Sequence, residues 1–260
     1  MSDVLLTGAT SGLGRWLAPR LGAAGLTVLL HGRDPEKVER GVAEVAAAGG
    51  KAEGFVADLA RRADVDRLAA EVAGRELTAL VNNAGVGFGA PGTGRELSPD
   101  GYELRWAVNL LAPVWLTTAL LPTLKANAPA RVVNVGSLGQ APIDFADPQL
   151  ERHYDGITAY RRAKLALAAW TFDLAEELAG TGVTANCLHP ATFMDTEMVR
   201  VAGQAPYTTV EQGGAATLRL ILDETRTGLF FDGQRVAEPH RDARDPRVRA
   251  RLREVLRAEA

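Results

Sequence analysis

Short apolar runs recur along the chain with room for one helix between each pair. Residues 4–6, 27–31, 52–57, 78–81, 131–135 and 183–188 are strand-length and dominated by Val, Leu and Ala. Continuous apolar runs of this length fit strands that are buried on both faces. The segments between them carry helical spacing. One helix runs through Trp16 and Leu21, and one over 35–48 is opened by Asp34-Pro35 and closed by Gly49-Gly50. Others are expected over about 63–73, over the strongly apolar stretch 106–125, and from Thr158 to about residue 179. A helix over 210–222 and a strand-like GLFFDG complete the alternation. Such alternation predicts a mostly or wholly parallel sheet of about seven strands with helices on both faces. Right-handed crossovers then bring the strand C-terminal ends, and the loops that leave them, to one rim. Residues 1–236 form a single domain on this pattern. Residues 237–260 are charged, with Val248, Leu252, Val255 and Leu256 at helical spacing, and predict an amphipathic helix docked on the same domain or on a neighbouring subunit.

The first of these loops is TGATSGLG, with Gly8, Gly12 and Gly14 between a strand and a helix. Glycines let the backbone turn tightly and approach a ligand, and the helix N-terminus offers free N–H groups to a pyrophosphate. The α/β fold class is therefore a doubly wound, Rossmann-type dinucleotide-binding domain. The second strand ends in His31, Gly32 and Arg33. An NAD-preferring unit usually has an acidic residue at this strand end to bind ribose hydroxyls, whereas an arginine suits a 2′-phosphate. NADP(H) is accordingly favoured over NAD(H). Asp34 either pairs with Arg33 or caps the next helix. His31 is expected to be a strand residue without catalytic duty.

Tyr160 and Lys164 stand four apart at the start of the alanine-rich helix and share one of its faces. An ammonium about 5 Å from a phenol, at an effective dielectric near 20, favours the phenolate by roughly 3 kcal/mol, or about two pKa units. That is too little to bring a phenol to neutrality, so a second positive group is required. Tyr154 has Thr158 rather than a lysine four residues on, which leaves Tyr160 as the candidate acid/base. Ser137 follows the fifth strand on the same rim. Pro113 cannot donate to the Asn109 carbonyl four residues back, so a helix continuing through this point leaves that carbonyl free. Residues 86–101 are glycine-rich and turn-prone, and Phe193, Met194, Met198 and Val199 follow the sixth strand, where they either cover a ligand or pack on the domain.

The formal net charge of −3 gives no electrostatic reason for a nucleic-acid or anionic-membrane partner. Cys187 is the only cysteine, which rules out an intrachain disulfide, and its apolar run makes it a core residue. Asp144, Asp147 and His153 have no metal-ligand spacing, and no metal is expected. The opening residues run straight into a strand, and the stretch 106–122 is too short and mixed to span a bilayer, so a cytoplasmic location is expected.

Taken together these motifs resemble the short-chain dehydrogenase/reductase family over nearly the whole chain. The segments DGYE and VNLLAP, and the long stretch between Ser137 and Tyr160, look most like its retinol-dehydrogenase-like branch. The resemblance implies a catalytic set of Asn109, Ser137, Tyr160 and Lys164. It implies cofactor contacts from Thr7, Gly8, Ser11, Gly12, Leu13 and Gly14, from Arg33, from Asp58 and Leu59, from Asn82, Ala84 and Gly85 of the NNAG motif, and from Tyr160 and Lys164 themselves. Pro190 and either Thr192 or Thr196 would contact the nicotinamide. Lys164 would hold the nicotinamide ribose, and the oxidised ring would supply the second positive charge. Three positions depart from the family pattern: Gly136 stands where a serine is usual, Ala191 follows Pro190 where a glycine is usual, and Thr196 lies one position late. The function implied is hydride transfer between a ketone or aldehyde and an alcohol on a small, partly apolar molecule, by a homodimer or homotetramer. Rival expectations are a nucleotide-sensing regulator and an enzyme of this fold that dehydrates or epimerises without net redox.

Overall fold

The computed structural model describes residues 2–259. Its single sheet is formed by β1 (Asp3–Leu6), β2 (Thr27–Gly32), β3 (Lys51–Val56), β4 (Leu77–Asn82), β5 (Ala130–Val135), β6 (Val183–His189), β7 (Phe230–Asp232) and β8 (Arg235–Ala237). The order is β3-β2-β1-β4-β5-β6-β7-β8. All neighbours are parallel except β7 and β8, which a two-residue turn at Gly233-Gln234 joins antiparallel. The expected parallel sheet is therefore present with one additional edge strand. Gly233, at φ 56°, takes the first position of this two-residue turn, where a positive φ favours glycine.

Alternation along the strands divides the core into two layers. Val4, Leu6, Val28, Leu30, Val81 and Leu188 face α1 (Gly12–Ala23), α2 (Pro35–Ala47) and α8 (Val210–Leu222). Leu5, Leu29, Leu80, Val132 and Ala185 face α3 (Arg62–Val72), α5 (Ala112–Ala126) and α6 (Gly156–Glu177). The winding of the chain across the sheet reverses between β1 and β4, and the loops leaving these two strands flank the crevice where an open α/β sheet binds ligands. Asp34 caps α2, its carboxylate accepting from Lys37 N at 3.1 Å, which decides between its two expected roles.

The apolar helix over 106–125 is longer than its sequence suggested. A short α4 (Leu104–Trp106) runs through a π-helical turn (Ala107–Leu111) into α5, and Ala112 N–H bonds Ala107 O, five residues back. The wide turn lies directly before Pro113, which cannot supply the regular bond to Asn109 O. By length and composition the continuous Leu104–Ala126 helix could cross a bilayer, contrary to the expectation from residues 106–122; here 72% of its most apolar window is buried in the fold. The tail forms α9 (Pro246–Ala258) and docks on its own chain. Leu252 is wholly buried beside α6, Arg249 and Arg253 pair with Asp173, and the Trp106 and Trp115 indoles donate to Glu259 at 3.0 Å each.

Candidate active site

The glycine loop leaves β1 at Thr7, whose buried hydroxyl donates to Val81 O at 3.1 Å and accepts from Asn83 N and Ala84 N at 3.0 Å each. One threonine thus joins the first and fourth strand exits. Asn83 adds to the joint, its amide donating to Thr7 O at 2.8 Å and Gly8 O at 3.1 Å. Gly8 has φ 63°, and a Cβ there would lie 2.7 Å from Ala84 Cα; a Cβ on Gly14 would lie 2.3 Å from Gly8 O. Ser11 occupies the N-cap of α1 without a side-chain cap bond, Gly12 follows at φ 46°, and Leu13 is buried under the turn. This leaves the first N–H groups of α1 directed into the crevice, a geometry that suits a pyrophosphate. Arg33 is exposed at the end of β2 and has no ion-pair partner among the described residues, so its guanidinium is free for an anion. Asp58 follows β3, with one carboxylate oxygen accepting from Ala60 N at 3.1 Å.

Two residues on the expected cofactor list face away from the crevice. The Asn82 side chain is buried and donates to Thr117 Oγ1 at 3.0 Å and Asn134 Oδ1 at 2.8 Å, as part of a polar ladder that ends at Thr171. Leu59 is core, packed with Val65 and Leu68. Their positions support the loops; their side chains are not presented to a ligand.

Lys164 and Tyr160 lie on the inner face of α6 at the ends of β4 and β5. The Ser137 hydroxyl faces the Tyr160 phenol, and Ser137 Oγ accepts from Gly139 N at 3.0 Å. Lys164 Nζ donates to Val135 O at 2.8 Å and sits 5.8 Å from the centre of the Tyr160 ring. Asn109 is completely buried, and its amide is paired with the Val86 backbone in both directions, at 2.8 and 2.9 Å. A Cβ on Gly85 would lie 3.0 Å from Asn109 Oδ1 and 3.8 Å from Lys164 Nζ, so the absence of a side chain there keeps the three groups together. The four residues of the expected catalytic set are thus gathered from the π-helical turn, the β5 exit and α6.

The electrostatics differ from the simple pair. Burial pushes the Tyr160 phenol up, opposed by the nearby Ser137 hydroxyl, so Lys164 alone does not make it acidic. Lys164 is itself pushed down to about 8 by burial. Desolvation sets the direction of both shifts, with Lys164 buried and Tyr160 half-buried at the same site. Tyr154 is excluded by its own partner: its hydroxyl donates to the buried Glu103 carboxylate at 3.0 Å, and burial beside that carboxylate raises its pKa far above the ordinary phenol value.

One departure from the family pattern has a steric cause. A Cβ on Gly136 would lie 2.5 Å from Cys187 Sγ, so the buried thiol takes the space that a serine would need. The Ala191 methyl lies beside Gly213 of α8, 3.5 Å from where a Cβ would be, an ordinary contact distance. Thr196, at the N-cap of α7 (Glu197–Val201), leans on the glycine loop, its Cγ2 3.0 Å from where a Gly12 Cβ would be. Thr192 instead shares a 3.0 Å hydrogen bond with His189 Nε2. Pro190 lies beside the same glycine of α8.

Sequence reasoning passed over a buried clamp beside the site. Arg105 donates to Gly87 O at 3.0 Å and Phe88 O at 3.3 Å and pairs with the buried Glu103. It thereby holds Phe88 edge-on to Tyr160, with ring centres 4.8 Å apart. No local pattern links residues 88, 105 and 160.

A fold with this strand order, a glycine loop at the switch point and a Ser-Tyr-Lys site on the rim defines a nucleotide-dependent dehydrogenase class. The model of the short chain dehydrogenase family matches residues 2–206, and the chain belongs to that family, in its retinol-dehydrogenase-like branch. It is an NAD(P)-dependent enzyme acting on alcohol or carbonyl groups. Retinol dehydrogenase 13 of Homo sapiens is 32% identical over 275 residues, which cover 96% of this chain and 81% of the relative. A crystal structure of a Mycobacterium paratuberculosis protein superposes with a TM-score of 0.82 at 28% identity, covering 98% of this chain and 93% of that one. The NADP complex of Pseudomonas aeruginosa RhlG is similar at TM-score 0.72 and 27% identity, over 89% of this chain and 94% of that one.

Proposed function

We propose that the chain interconverts a ketone or aldehyde and an alcohol on a small, partly apolar molecule, with NADP(H) as cofactor and Tyr160 as acid/base. The observation that carries this is the convergence of Ser137, Tyr160 and Lys164 on one wall of the crevice that the glycine loop enters. The bound nicotinamide supplies or accepts the hydride. Tyr160 gives its hydroxyl proton to the substrate oxygen in reduction and takes it back in oxidation, and Ser137 orients that oxygen. Lys164 binds the ribose hydroxyls and, with its Val135 bond, holds position beneath the phenol. Asn109 fixes the Val86 backbone, which keeps the floor of the site in register. Thr7, Gly8, Ser11, Gly12, Leu13 and Gly14 cradle the pyrophosphate half, Asp58 meets adenine, and Arg33 takes the 2′-phosphate. Thr196 is the better-placed carboxamide contact, because it touches the glycine loop while Thr192 is tied to His189.

The substrate class follows from the apolar residues around the site. Leu138, Ile157, Phe193 and Met198 are exposed large apolar residues in segments bordering the site, and Met198 leans over Gly87 beside Phe88. Apolar surface at a rim crevice favours a ligand with an apolar body and one polar reacting group. The long apolar helix is largely buried against α3 and the sheet, which supports work in the cytoplasm rather than as a membrane span. Self-association as a homodimer or tetramer belongs to the same proposal and is checked by light scattering on the purified protein.

Following absorbance at 340 nm over ketones, aldehydes and alcohols in both directions tests the proposal. Turnover with NADPH or NADP is expected, and Tyr160→Phe is expected to lower kcat by about a hundredfold or more. A Tyr160→Phe enzyme of undiminished rate overturns the mechanism. Binding of NADPH without turnover on any substrate would favour a sensor, and turnover without net NADPH consumption a dehydratase or epimerase.

A further inference from the structure

His31 is the penultimate residue of β2, 1% exposed, and its ring is bonded at both nitrogens. Nδ1 accepts from Gly8 N at 3.2 Å, and Nε2 lies 3.0 Å from Ala57 O. A backbone N–H can only donate and a carbonyl can only accept, so this environment selects the neutral tautomer with its proton on Nε2. Burial is the main reason the imidazole is pushed down to about 4, with Arg33 acting in the same direction and the Ala57 carbonyl, Asp58 and Asp64 against it.

The two bonded partners belong to different cofactor loops. Gly8 is the first glycine of the loop after β1, and Ala57 immediately precedes Asp58 after β3. The main chain alone connects each loop to β2, through Ala9 N to His31 O at 2.8 Å and Ala57 N to Gly32 O at 3.1 Å. The ring adds a direct rod between the loops. Gly8 is further confined on its other side, where the Ala84 backbone leaves no room for a Cβ. The orientation of the Gly8 peptide is therefore set by His31 from one side and Ala84 from the other.

We propose that His31 is a cofactor-positioning residue: its ring joins Gly8 N–H to the Ala57 carbonyl and so fixes the glycine loop at a set spacing from Asp58. A dinucleotide spans both loops at once, so a loop free to shift must be ordered when the ligand binds, at a cost in affinity. The inference rests on the proposed NADP(H) site. It assigns His31 a task that its position on a strand did not suggest.

The test is fluorescence titration of NADPH into the wild-type chain and three variants, beside their thermal melts. His31→Asn keeps an oxygen where Nδ1 accepts from Gly8. His31→Gln keeps an amide where Nε2 meets Ala57 but offers Gly8 nothing. His31→Leu keeps the bulk and loses both. Removing the acceptor leaves the half-buried Gly8 N–H without its partner, so the Leu and Gln variants are expected to bind NADPH about tenfold more weakly or worse, while Asn stays within about threefold of wild type. Equal affinity of the Asn and Gln variants, or wild-type affinity in a folded Leu variant, overturns the proposal. So does a weakening that follows melting temperature across the series rather than the Gly8 acceptor. If the Leu variant does not fold, the Asn and Gln pair decides. A wild-type chain that binds neither NADPH nor NADH defeats the proposed function itself, and the inference with it.

Discussion

Lys164 shows how one residue can serve a site at the expense of the fold. It is 5% exposed, and burial holds its pKa at about 8, against an ordinary value of 10.5. A lysine whose folded pKa lies below its unfolded one binds protons more readily when unfolded, so stability is lost as pH falls from about 10.5 through 8. Two and a half pKa units correspond to about 3 kcal/mol, fully charged against the fold below pH 8. Lys164→Met fills similar volume without charge. At pH 7 it is expected to melt several degrees higher than wild type, at about 2–4 °C per kcal/mol for a chain of this size, while turnover is lost. The difference should narrow between pH 8 and pH 10. Calorimetric scans at pH 7 and 9.5 check this, and a variant that melts lower at pH 7 would show that the Val135 hydrogen bond outweighs desolvation. Tyr160 and Lys164 are legible as a pair because an i,i+4 spacing is local. The sign of the Tyr160 shift is not, because it depends on burial, and His31 reads as an ordinary strand residue because its two partners come from loops 23 and 26 residues away.

At the level of elements, period and punctuation carried most of the fold. The strand runs, Asp34-Pro35 at the start of α2 and Gly49-Gly50 after it all stand where the sequence put them, since each rests on neighbours within a few residues. The misses are tertiary or very short. β8 has three residues and is defined by pairing with β7, and the continuity of the Leu104–Ala126 helix depends on a π-helical turn that accommodates Pro113. The tail is intermediate. The spacing of Leu252 and Leu256 predicted a helix, and only packing reveals that it closes over α6 and hydrogen-bonds the indoles of Trp106 and Trp115. Because Leu252 is wholly buried there, Leu252→Ala is expected to cost about 2–5 kcal/mol in urea unfolding. NADPH affinity at a temperature where the variant is folded should be unchanged, because α9 lies across α6 from the glycine loop. A cost below about 1 kcal/mol would mean that α9 is only loosely seated.

For the whole molecule, the proposed preference for NADP(H) rests on a charge at the far end of the crevice from the chemistry. Arg33 is exposed, and the acid beside it, Asp34, is occupied in capping α2. The guanidinium is thus available to a 2′-phosphate, with which it can form paired, charge-assisted hydrogen bonds that a ribose hydroxyl cannot match. Ligand that binds only the folded chain raises its stability by an amount set by concentration over Kd, about 2.7 kcal/mol at a hundredfold excess, or roughly 5–10 °C here. The wild-type melt should therefore move further with NADPH than with an equal concentration of NADH. In Arg33→Ala the NADPH shift should contract toward the NADH shift, which itself stays put, corresponding to about a ten- to hundredfold loss of NADPH affinity alone. The response should also weaken with added salt, because an exposed ion pair is screened within about 10 Å at 0.1 M. If Arg33→Ala weakens both cofactors equally, Arg33 is supporting the loop rather than reading the phosphate. If it weakens neither, the preference lies elsewhere on the rim, with Lys37 and Arg40 of α2 the nearest other cations in sequence.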